Sequence, residues 1–430
     1  MQFFPASTSV RLSIMMFLQF FIWGAWYVTI GNYMTSEGMA DLTHWPYTVN
    51  PIAAIIAPFF LGLVADRYFA TEKVLGFLHI LGGIIMFLTP AMAGNPTLFI
   101  VMLLLYNLCY MPTLGLSNTL AFANIEDREK QFPRIRVFGT LGWIAAGLFV
   151  SFVLAGFTTE DTLPDVTALP LYTTAAASVL LGLYSFSLPH TPPAAAGKVF
   201  SPRDILGIDA FKQLKSRPFI IFLTSSFLIC IPLAAYYNFA PIFVNASDIS
   251  NPAATMSLGQ VSEALFMLLM PLFFVRLGVK WMLVVGMGAW VLRYAFFALA
   301  APMGVFWMII AGILLHGICY DFFFVTGQIY VDKKSNAKIR GQAQGMLVLV
   351  TYGLGMFVGA QIAGNVFNSF LAGSDALTPD QWQSFWWIPA VFAAAVLMFF
   401  AYTFKDEGDR LHSDGENDET AMEGVSDGST

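Results

Sequence analysis

Long uninterrupted apolar runs, separated by short polar segments, recur along this sequence from residue 13 to residue 404. A helix needs about 20 mostly apolar residues to cross a lipid bilayer, and a backbone in lipid must satisfy its hydrogen bonds internally. The runs are continuous, whereas the strands of a membrane barrel alternate apolar and polar residues over about ten positions. The sequence therefore predicts an all-α polytopic membrane protein.

The composition excludes a soluble domain with a single core. Hydrophobic residues make up 57% of the chain and charged residues only 11%, whereas soluble domains contain roughly 45–50% and 25%. Twelve of the runs have spanning length, and we number the predicted helices α1 to α12 in chain order. They lie near residues 13–34, 47–64, 73–92, 97–123, 135–156, 169–188, 218–244, 254–275, 279–300, 303–331, 339–369 and 383–404.

Basic residues are distributed unevenly between the loops. Loops after the even-numbered helices carry Lys and Arg, whereas loops after the odd-numbered helices carry only acidic charges. Basic residues in short loops stay on the cytoplasmic side of a membrane, so both termini are predicted to be cytoplasmic. We call the side of the even-numbered loops the basic end and the opposite side the acidic end. The basic end includes Arg128, Lys130, Arg134, Lys215, Arg276 and Lys333, and the acidic end includes Glu37, Asp41, Glu160, Asp161, Asp165 and Asp248.

The longest internal loop divides the twelve helices into two sets of six. It begins Pro-His-Thr-Pro-Pro and then turns basic. We therefore predict an N-terminal six-helix bundle over residues 1–188, a cytoplasmic linker over 189–217 and a C-terminal six-helix bundle over 218–404. Residues 405–430 hold nine acidic side chains against Lys405 and Arg410, which is typical of a disordered, solvated cytoplasmic tail.

The turn after α2 reads Gly62-Leu-Val-Ala-Asp66-Arg67. Together with two six-helix halves and a basic central loop, it resembles the major facilitator superfamily over essentially the whole membrane part. The resemblance implies the major facilitator fold. Asp66 and Arg67 are candidates for a conformational latch, because an acid and an arginine at a helix end can pair with the other half. A plain charge cluster that sets the topology is the alternative.

Few ionisable residues lie inside the predicted helices. Each is costly in lipid, so each is a candidate functional residue, with a buried structural ion pair as the alternative. In α8, Gln260 and Glu263 lie three positions apart and share one helix face. In α10, Asp321 follows Tyr320, and its alternative role is a permanent ion pair with Arg293.

Histidines and cysteines are few and scattered along the chain. His79 and His316 fit the role of hydrogen-bonded core residues better than that of ligands. Cys109, Cys230 and Cys319 all lie in apolar runs and lack metal-ligand spacing, which favours packing roles. No H-E-x-x-H or G-x-S-x-G motif occurs. We therefore predict neither a metal site nor catalytic residues, and the protein is not expected to be an enzyme.

The helix α5 places three chemically different groups on one stripe. Arg136, Thr140 and Trp143 lie at positions i, i+4 and i+7, which brings a guanidinium, a hydroxyl and an indole together. Such a stripe suits a polar ligand that contains a ring. Alternatively, Arg136 extends to the cytoplasmic surface while Trp143 packs. In α7, Tyr237 and Asn238 add a further ring and an amide.

Six blocks of sequence carry a second, more specific resemblance. They read Phe17-Leu-Gln-Phe-Phe-Ile-Trp-Gly-Ala-Trp26, Tyr110-Met-Pro-Thr-Leu-Gly-Leu-Ser-Asn118, Phe132-Pro-Arg-Ile-Arg136-Val-Phe-Gly-Thr140, Gln260-Val-Ser-Glu263, Tyr320-Asp321-Phe-Phe323 and Ala343-Gln-Gly345. In this order they resemble the nucleoside:proton symporter family, in particular its YegT-like branch. The resemblance implies a central substrate site, with residues from α5, α8 and α10. At those positions this chain has Arg136, Thr140, Trp143, Gln260, Glu263, Tyr320 and Asp321.

The chemistry of these side chains suits a nucleoside. Ribose offers vicinal hydroxyls that a carboxylate accepts. The base offers a flat face for Trp143 or a tyrosine, and its polar edges suit Gln260 or Arg136. Glu263, Asp321 or both are the predicted proton acceptors, since burial favours the neutral carboxyl group and Arg136 favours the charged one. We therefore predict proton-coupled nucleoside uptake across the bacterial inner membrane by alternating access. The proton is the coupling ion, and no cofactor is expected.

Some alternatives stay open at this stage. In α7, Ala234 and Tyr237 stand where better-known nucleoside permeases have a glutamine and an asparagine, which keeps a proton-coupled sugar or glycoside symporter as the alternative. A membrane receptor that does not transport is a further possibility. The predicted partners are the nucleoside and the lipid bilayer, without nucleic acid, and the protein is expected to be a monomer.

Overall fold

The computed structural model of the protein describes residues 7–61, 68–193, 201–336 and 339–405, with the side chains of residues 128 and 129 left aside. Within these residues every regular element is helical. Nine helical stretches among these described residues are long and apolar enough to cross a membrane. The predicted all-α membrane architecture is confirmed. The count of twelve spans and the division into four segments remain predictions.

The helices follow the predicted apolar runs closely. α1 comprises Thr8–Tyr27 and Ile30–Ser36, α2 is Pro46–Phe60, α3 is Thr71–Leu88, α4 is Pro96–Ala123, α5 is Arg128–Leu148 and α6 is Leu169–Ser185. α7 is Arg217–Ala246, and α8 and α9 together occupy Pro252–Ala300, with a break at Gly278. α10 comprises Phe306–Leu314, His316–Tyr320 and Thr326–Lys334, α11 comprises Arg340–Val348 and Met356–Leu371, and α12 is Pro379–Thr403. Two short helices, Pro202–Ile205 and Ile208–Leu214, lie in the linker.

Polar capping residues define where several helices begin. Asn95 accepts a hydrogen bond from the backbone N–H of Leu98 and so caps α4. Thr378 and Gln381 form a reciprocal capping box at the start of α12. Such caps satisfy backbone donors that have no partner within the helix. Residues at the helix starts themselves therefore set these boundaries.

The stretch Pro252–Ala300 contains two helices, α8 and α9, which meet at a kink at Gly278. Its φ of 63° lies in the left-handed region, which a residue without a Cβ adopts at little cost. The sequence predicts two separate helices here, near residues 254–275 and 279–300, and the non-helical backbone of Gly278 separates two helices at this place. Gly278 therefore provides the change of chain direction between α8 and α9.

Two π-helical segments interrupt the regular geometry of the C-terminal half. They are Asp321–Val325 in α10 and Leu349–Gly355 in α11. A π-helical turn changes the direction of the following side chains and often occurs at functional sites. Both segments contribute residues to the cavity described below.

Among the described residues, two large apolar clusters form most of the core, one mainly from α1–α6 and the other mainly from α7–α12, and a small third cluster contains Met270, Met282 and Phe322. The halves contact each other at the acidic end. There Asn32 donates to the carbonyl of Pro241 at 3.4 Å, and Gln361 donates to the hydroxyl of Thr48 at 2.7 Å. The predicted latch, Asp66 and Arg67, and the acidic tail beyond residue 405 lie outside the described residues.

Candidate functional site

A cavity of about 430 Å³ lies between the two halves. Specific sites for small molecules typically have volumes of roughly 300–1,000 Å³. Residues of both bundles line it. They are Phe20, Trp23, Tyr27, Leu114, Asn118, Arg136, Thr140 and Trp143 from the first half, and Cys230, Leu233, Tyr237, Gln260, Glu263, His316, Tyr320, Phe324, Gln328, Val348, Thr351, Tyr352 and Met356 from the second.

Five aromatic rings form one wall of the cavity, and we call them the aromatic box: Trp23, Tyr27, Trp143, Tyr237 and Tyr352. The ring centroids of Trp23 and Trp143 lie 5.4 Å apart, and those of Tyr27 and Tyr237 lie 5.8 Å apart across the two halves. These contacts are edge-to-face, a favourable arrangement for aromatic pairs. The box presents flat apolar surface contributed jointly by both bundles.

Polar groups occupy the rest of the lining. The guanidinium of Arg136 lies 4.1 Å above the ring of Phe20, a cation–π contact within the first half. The carboxylate of Glu263, from the second half, interacts electrostatically with Arg136 across the cavity. One cation and one anion from opposite bundles therefore share the same space.

The structure brings together seven of the nine predicted substrate-binding residues. Those seven line the cavity: Arg136, Thr140, Trp143, Tyr237, Gln260, Glu263 and Tyr320. Asn238 and Asp321 are fully buried behind the wall. Each follows a lining residue directly, and consecutive helical side chains point in different directions.

Asp321 and Arg293 do not form the ion pair considered above. Asp321 starts the π-helical segment of α10, and neither of its carboxylate oxygens has a hydrogen-bond partner among the described residues. The Nε of Arg293 donates to the carbonyl of Gly312 at 3.0 Å, and its guanidinium lies 4.0 Å above the ring of Tyr236. Asp321 interacts electrostatically with Glu263 instead. The charge of Glu263 therefore acts on the carboxyl group of Asp321.

The two membrane histidines have different surroundings. His79 is a hydrogen-bonded core residue as predicted, with Nε2 2.9 Å from the Oε1 of Gln19 and Nδ1 3.2 Å from the hydroxyl of Ser178. For His316 the prediction of a satisfied core residue is wrong. Its Nε2 lies 3.9 Å from the Oε2 of Glu263, and its Nδ1 has no partner within the described residues. His316 lines the cavity beside the carboxylate.

Sequence reasoning missed several lining residues. Tyr352 lies in the π-helical segment of α11, and its hydroxyl donates to the Oδ1 of Asn50 at 2.7 Å. Nothing in the apolar run of α11 indicates this role. His316 is different, because it precedes Tyr320 by four residues and therefore shares its helix face. The four-residue spacing from Tyr320 therefore indicates that His316 lines the same cavity.

The cavity is closed toward the acidic end and extends toward the basic end. The hydrogen bonds of Asn32 and Gln361 described above, and that of Tyr352 to Asn50, hold the halves together on the acidic side. On the other side, Asn118 of α4 and Gln328 of α10 continue the lining toward the basic end. The structure thus has the asymmetry expected of one conformation of an alternating-access carrier.

The arrangement can bind a small molecule with a ring and several hydrogen-bonding groups. Glu263 accepts hydrogen bonds, Arg136 donates, and Gln260 does both. Among the described residues no group of three or more histidine, cysteine or acidic side chains could hold a metal ion.

Comparisons with known proteins identify the family of this chain. The sequence profile described as Nucleoside H+ symporter matches residues 6–409. The chain is 38% identical to YegT of Escherichia coli (strain K12) over 94% of this chain and 95% of that protein. It is 32% identical to the nucleoside permease NupG of the same organism, over 92% and 96%. The crystal structure of the nucleoside transporter NupG superposes with a TM-score of 0.81 and 31% identity, covering 94% of this chain and all of the other. The fold is therefore that of the major facilitator transporters, and the protein belongs to the nucleoside H+ symporter family.

Proposed function

We propose that this protein imports nucleosides together with protons across the bacterial inner membrane by alternating access. One observation carries the proposal: a carboxylate and a guanidinium from opposite halves face one cavity that also has an aromatic wall. The family supports proton symport, and the names of the relatives YegT and NupG support a nucleoside as the substrate. The sugar alternative is not favoured by these relatives.

Substrate recognition follows from the lining. The nucleobase stacks in the aromatic box, chiefly against Trp143, because a flat π-face fits between edge-to-face rings. The ribose hydroxyls donate to Glu263, and Gln260 and Thr140 supply further hydrogen bonds. Arg136 is the only cation among the described lining residues, so a phosphate is not required for binding and a neutral nucleoside suits the site.

Proton coupling follows from the electrostatics of Glu263 and Asp321. While Glu263 is ionised, its carboxylate attracts the guanidinium of Arg136 in the other half. Burying this carboxylate without an ion-pair partner costs free energy. A proton removes the charge and leaves a hydrogen-bonding carboxyl group for the substrate. Asp321 interacts with Glu263, so the two acids share the uptake of the coupling proton. Protonation and substrate binding together therefore favour passage through the closed intermediate.

The orientation of the carrier follows from the loop charges. We place the basic end and both termini in the cytoplasm, so the cavity here faces inward and the acidic end faces the periplasm. We also propose that the protein works as a monomer in the bilayer and needs no cofactor beyond the proton. Asp66 and Arg67 remain candidates for a latch at the basic end.

A competition assay with cells tests the substrate class. Labelled uridine or adenosine is supplied at acidic external pH, with an excess of unlabelled nucleosides or of sugars and glycosides. The proposal predicts that nucleosides block uptake, that sugars do not, and that an uncoupler abolishes accumulation. Uptake that sugars block and nucleosides leave unchanged would overturn it.

A further inference from the structure

At the acidic end, the first turn of α8 is held by side chains of the other half. The Oδ1 of Asp165, in the loop between α5 and α6, accepts from the backbone N–H of Ala253 at 3.0 Å. The hydroxyl of Ser151 accepts from the backbone N–H of Ala254 at 3.0 Å. Asn251 stands at the N-cap position of α8 but makes no side-chain cap. The helix therefore depends on the N-terminal half for its capping.

These bonds depend on a close approach of α5 to α8. Gly147 faces the first turns of α8, and a Cβ added there would overlap the hydroxyl of Ser257 and lie 2.7 Å from the carbonyl oxygen of Ala253. The two helices pack this closely only because position 147 lacks a side chain. Opening the acidic end separates α5 from α8, and it must break both caps. The contacts therefore exist only when this end is closed.

Asp165 is an unusual capping residue, because it is nearly fully buried and its second carboxylate oxygen, Oδ2, has no partner within the described residues. Burial raises the pKa of this carboxyl from 3.8 to about 6, although the bond from Ala253 acts in the opposite direction. An ionised carboxylate in such a place is costly when only one oxygen is satisfied. Water would satisfy it once the halves separate.

Among the described residues, no basic side chain forms an ion pair with Asp165. The elements packed against its loop are the end of α1, the start of α6, the segment Phe149–Val153 and the first turn of α8. Their titratable side chains near this end are Tyr33, Glu37 and Tyr172. Asp165 takes part in no ion pair within the part of the chain that the structure describes. Its proton affinity is therefore set by whether the interface is closed.

We propose that Asp165 is a second proton-binding residue of the transport cycle, which binds its proton when the acidic end closes and releases it to the same side when that end opens. Protons on this side then favour closure, and ionised Asp165 favours the open state. The proton of Asp165 never crosses the membrane, unlike the one proposed for Glu263 and Asp321. This inference uses the proposed alternating access but not the proposed coupling residues.

The direction of the pH effect follows from linkage. Asp165 has the higher pKa in the closed state, about 6, and a water-exposed aspartate has a pKa of about 3.9. The state with the higher pKa is stabilised as the pH falls. Between pH 7.5 and pH 5, opening of the acidic end should therefore decrease about tenfold.

Cysteine labelling of the full-length protein tests the proposal. Ile242 of α7 packs against Gly31 of α1 across the halves and is nearly buried, so an Ile242→Cys substitution reports opening of the acidic end. The reporter protein also carries Cys230→Ser, because Cys230 lines the cavity. A membrane-impermeant maleimide is added to right-side-out vesicles between pH 5 and pH 7.5. Rates are normalised to a Thr159→Cys protein, whose thiol lies on the exposed loop.

The reporter protein should label about tenfold more slowly at pH 5 than at pH 7.5. Asp165→Asn keeps an acceptor for Ala253 but cannot ionise, so it should label slowly at every pH. Asp161→Asn, on the exposed part of the same loop, should behave like the reporter. Ser151→Ala removes a cap without removing the charge, so it should label faster while retaining the pH response.

Two further measurements distinguish a failure of the Asp165 proposal from a failure of the proposed coupling mechanism. The pH response should persist in a Glu263→Gln, Asp321→Asn background, and Asp165→Asn should still accumulate nucleoside with protons. A reporter protein whose labelling does not change with pH would overturn the proposal. So would an Asp165→Asn protein that retains the tenfold response, or one that labels faster than its parent.

Discussion

Gly147→Ala should trap the carrier with its acidic end open. The added Cβ would overlap the hydroxyl of Ser257 and approach the carbonyl oxygen of Ala253 to 2.7 Å, well inside ordinary contact. Because the second of these atoms belongs to backbone, rotation of a side chain cannot relieve the overlap. Forcing extra volume into a well-packed contact costs about 1–3 kcal/mol. The closed state should therefore lose roughly 5- to 150-fold in population relative to the open state.

The assay for Gly147→Ala is the initial rate of nucleoside uptake at matched expression. Every transport cycle passes through closure of the acidic end, so the rate should fall by about the factor by which closure is weakened. Gly156→Ala is the matched control, since Gly156 lies near the end of the same span and an added Cβ meets nothing within 4 Å. Normal uptake by Gly147→Ala would refute the reasoning about the α5–α8 contact.

Other substitutions test the cavity and the interface. Trp143→Ala should raise the KM for nucleosides roughly 5- to 150-fold, because stacking of a base on an aromatic ring contributes about 1–3 kcal/mol. His79→Leu should lower the melting temperature, since it leaves buried polar partners unsatisfied at a cost of about 1–3 kcal/mol, whereas His316→Phe should lower uptake with little change in melting temperature. Tyr352→Phe removes a hydrogen bond to Asn50 across the halves and should increase labelling at the acidic end about two- to tenfold.

Each of these substitutions has a control or a contradicting result. Trp281→Ala changes an exposed tryptophan of α9, away from the cavity, and should leave the KM unchanged. If the His79 and His316 variants lost equal amounts of melting temperature, His316 would have a structural role like that of His79. Unchanged labelling of Tyr352→Phe would mean that its bond to Asn50 does not restrain opening.

Much of the fold is readable from the sequence. Apolar runs and local caps such as Asn95 and Thr378 mark most of the helices to within about five residues, because lipid permits few other structures for such a chain. The start of α5 is an exception, since the helix begins at Arg128 rather than near residue 135. The stripe of Arg136, Thr140 and Trp143 on α5 likewise reaches one cavity as predicted. Helical periodicity explains this success, since residues four and seven positions apart share a face.

The remaining features depend on how the helices pack against one another, and the helical repeat of the sequence does not predict that packing. Tyr352 enters the cavity from a π-helical segment, where the 3.6-residue repeat fails. Asp321 is directed behind the wall although Tyr320 lines it. Asp165 is one of several acids in the sequence of the acidic end, and only the packing of its loop against α8 distinguishes it.

The most direct test of the account measures accumulation and exchange in proteoliposomes. With one proton per nucleoside, a potential of 100 mV contributes about 2.3 kcal/mol per charge, enough for roughly 50-fold accumulation. The native protein should accumulate nucleoside to this extent and lose it with an uncoupler. A Glu263→Gln, Asp321→Asn protein should still exchange labelled for unlabelled nucleoside but accumulate none. If that variant accumulates nucleoside and an uncoupler abolishes the gradient, neither acid carries the coupling proton and the account is wrong.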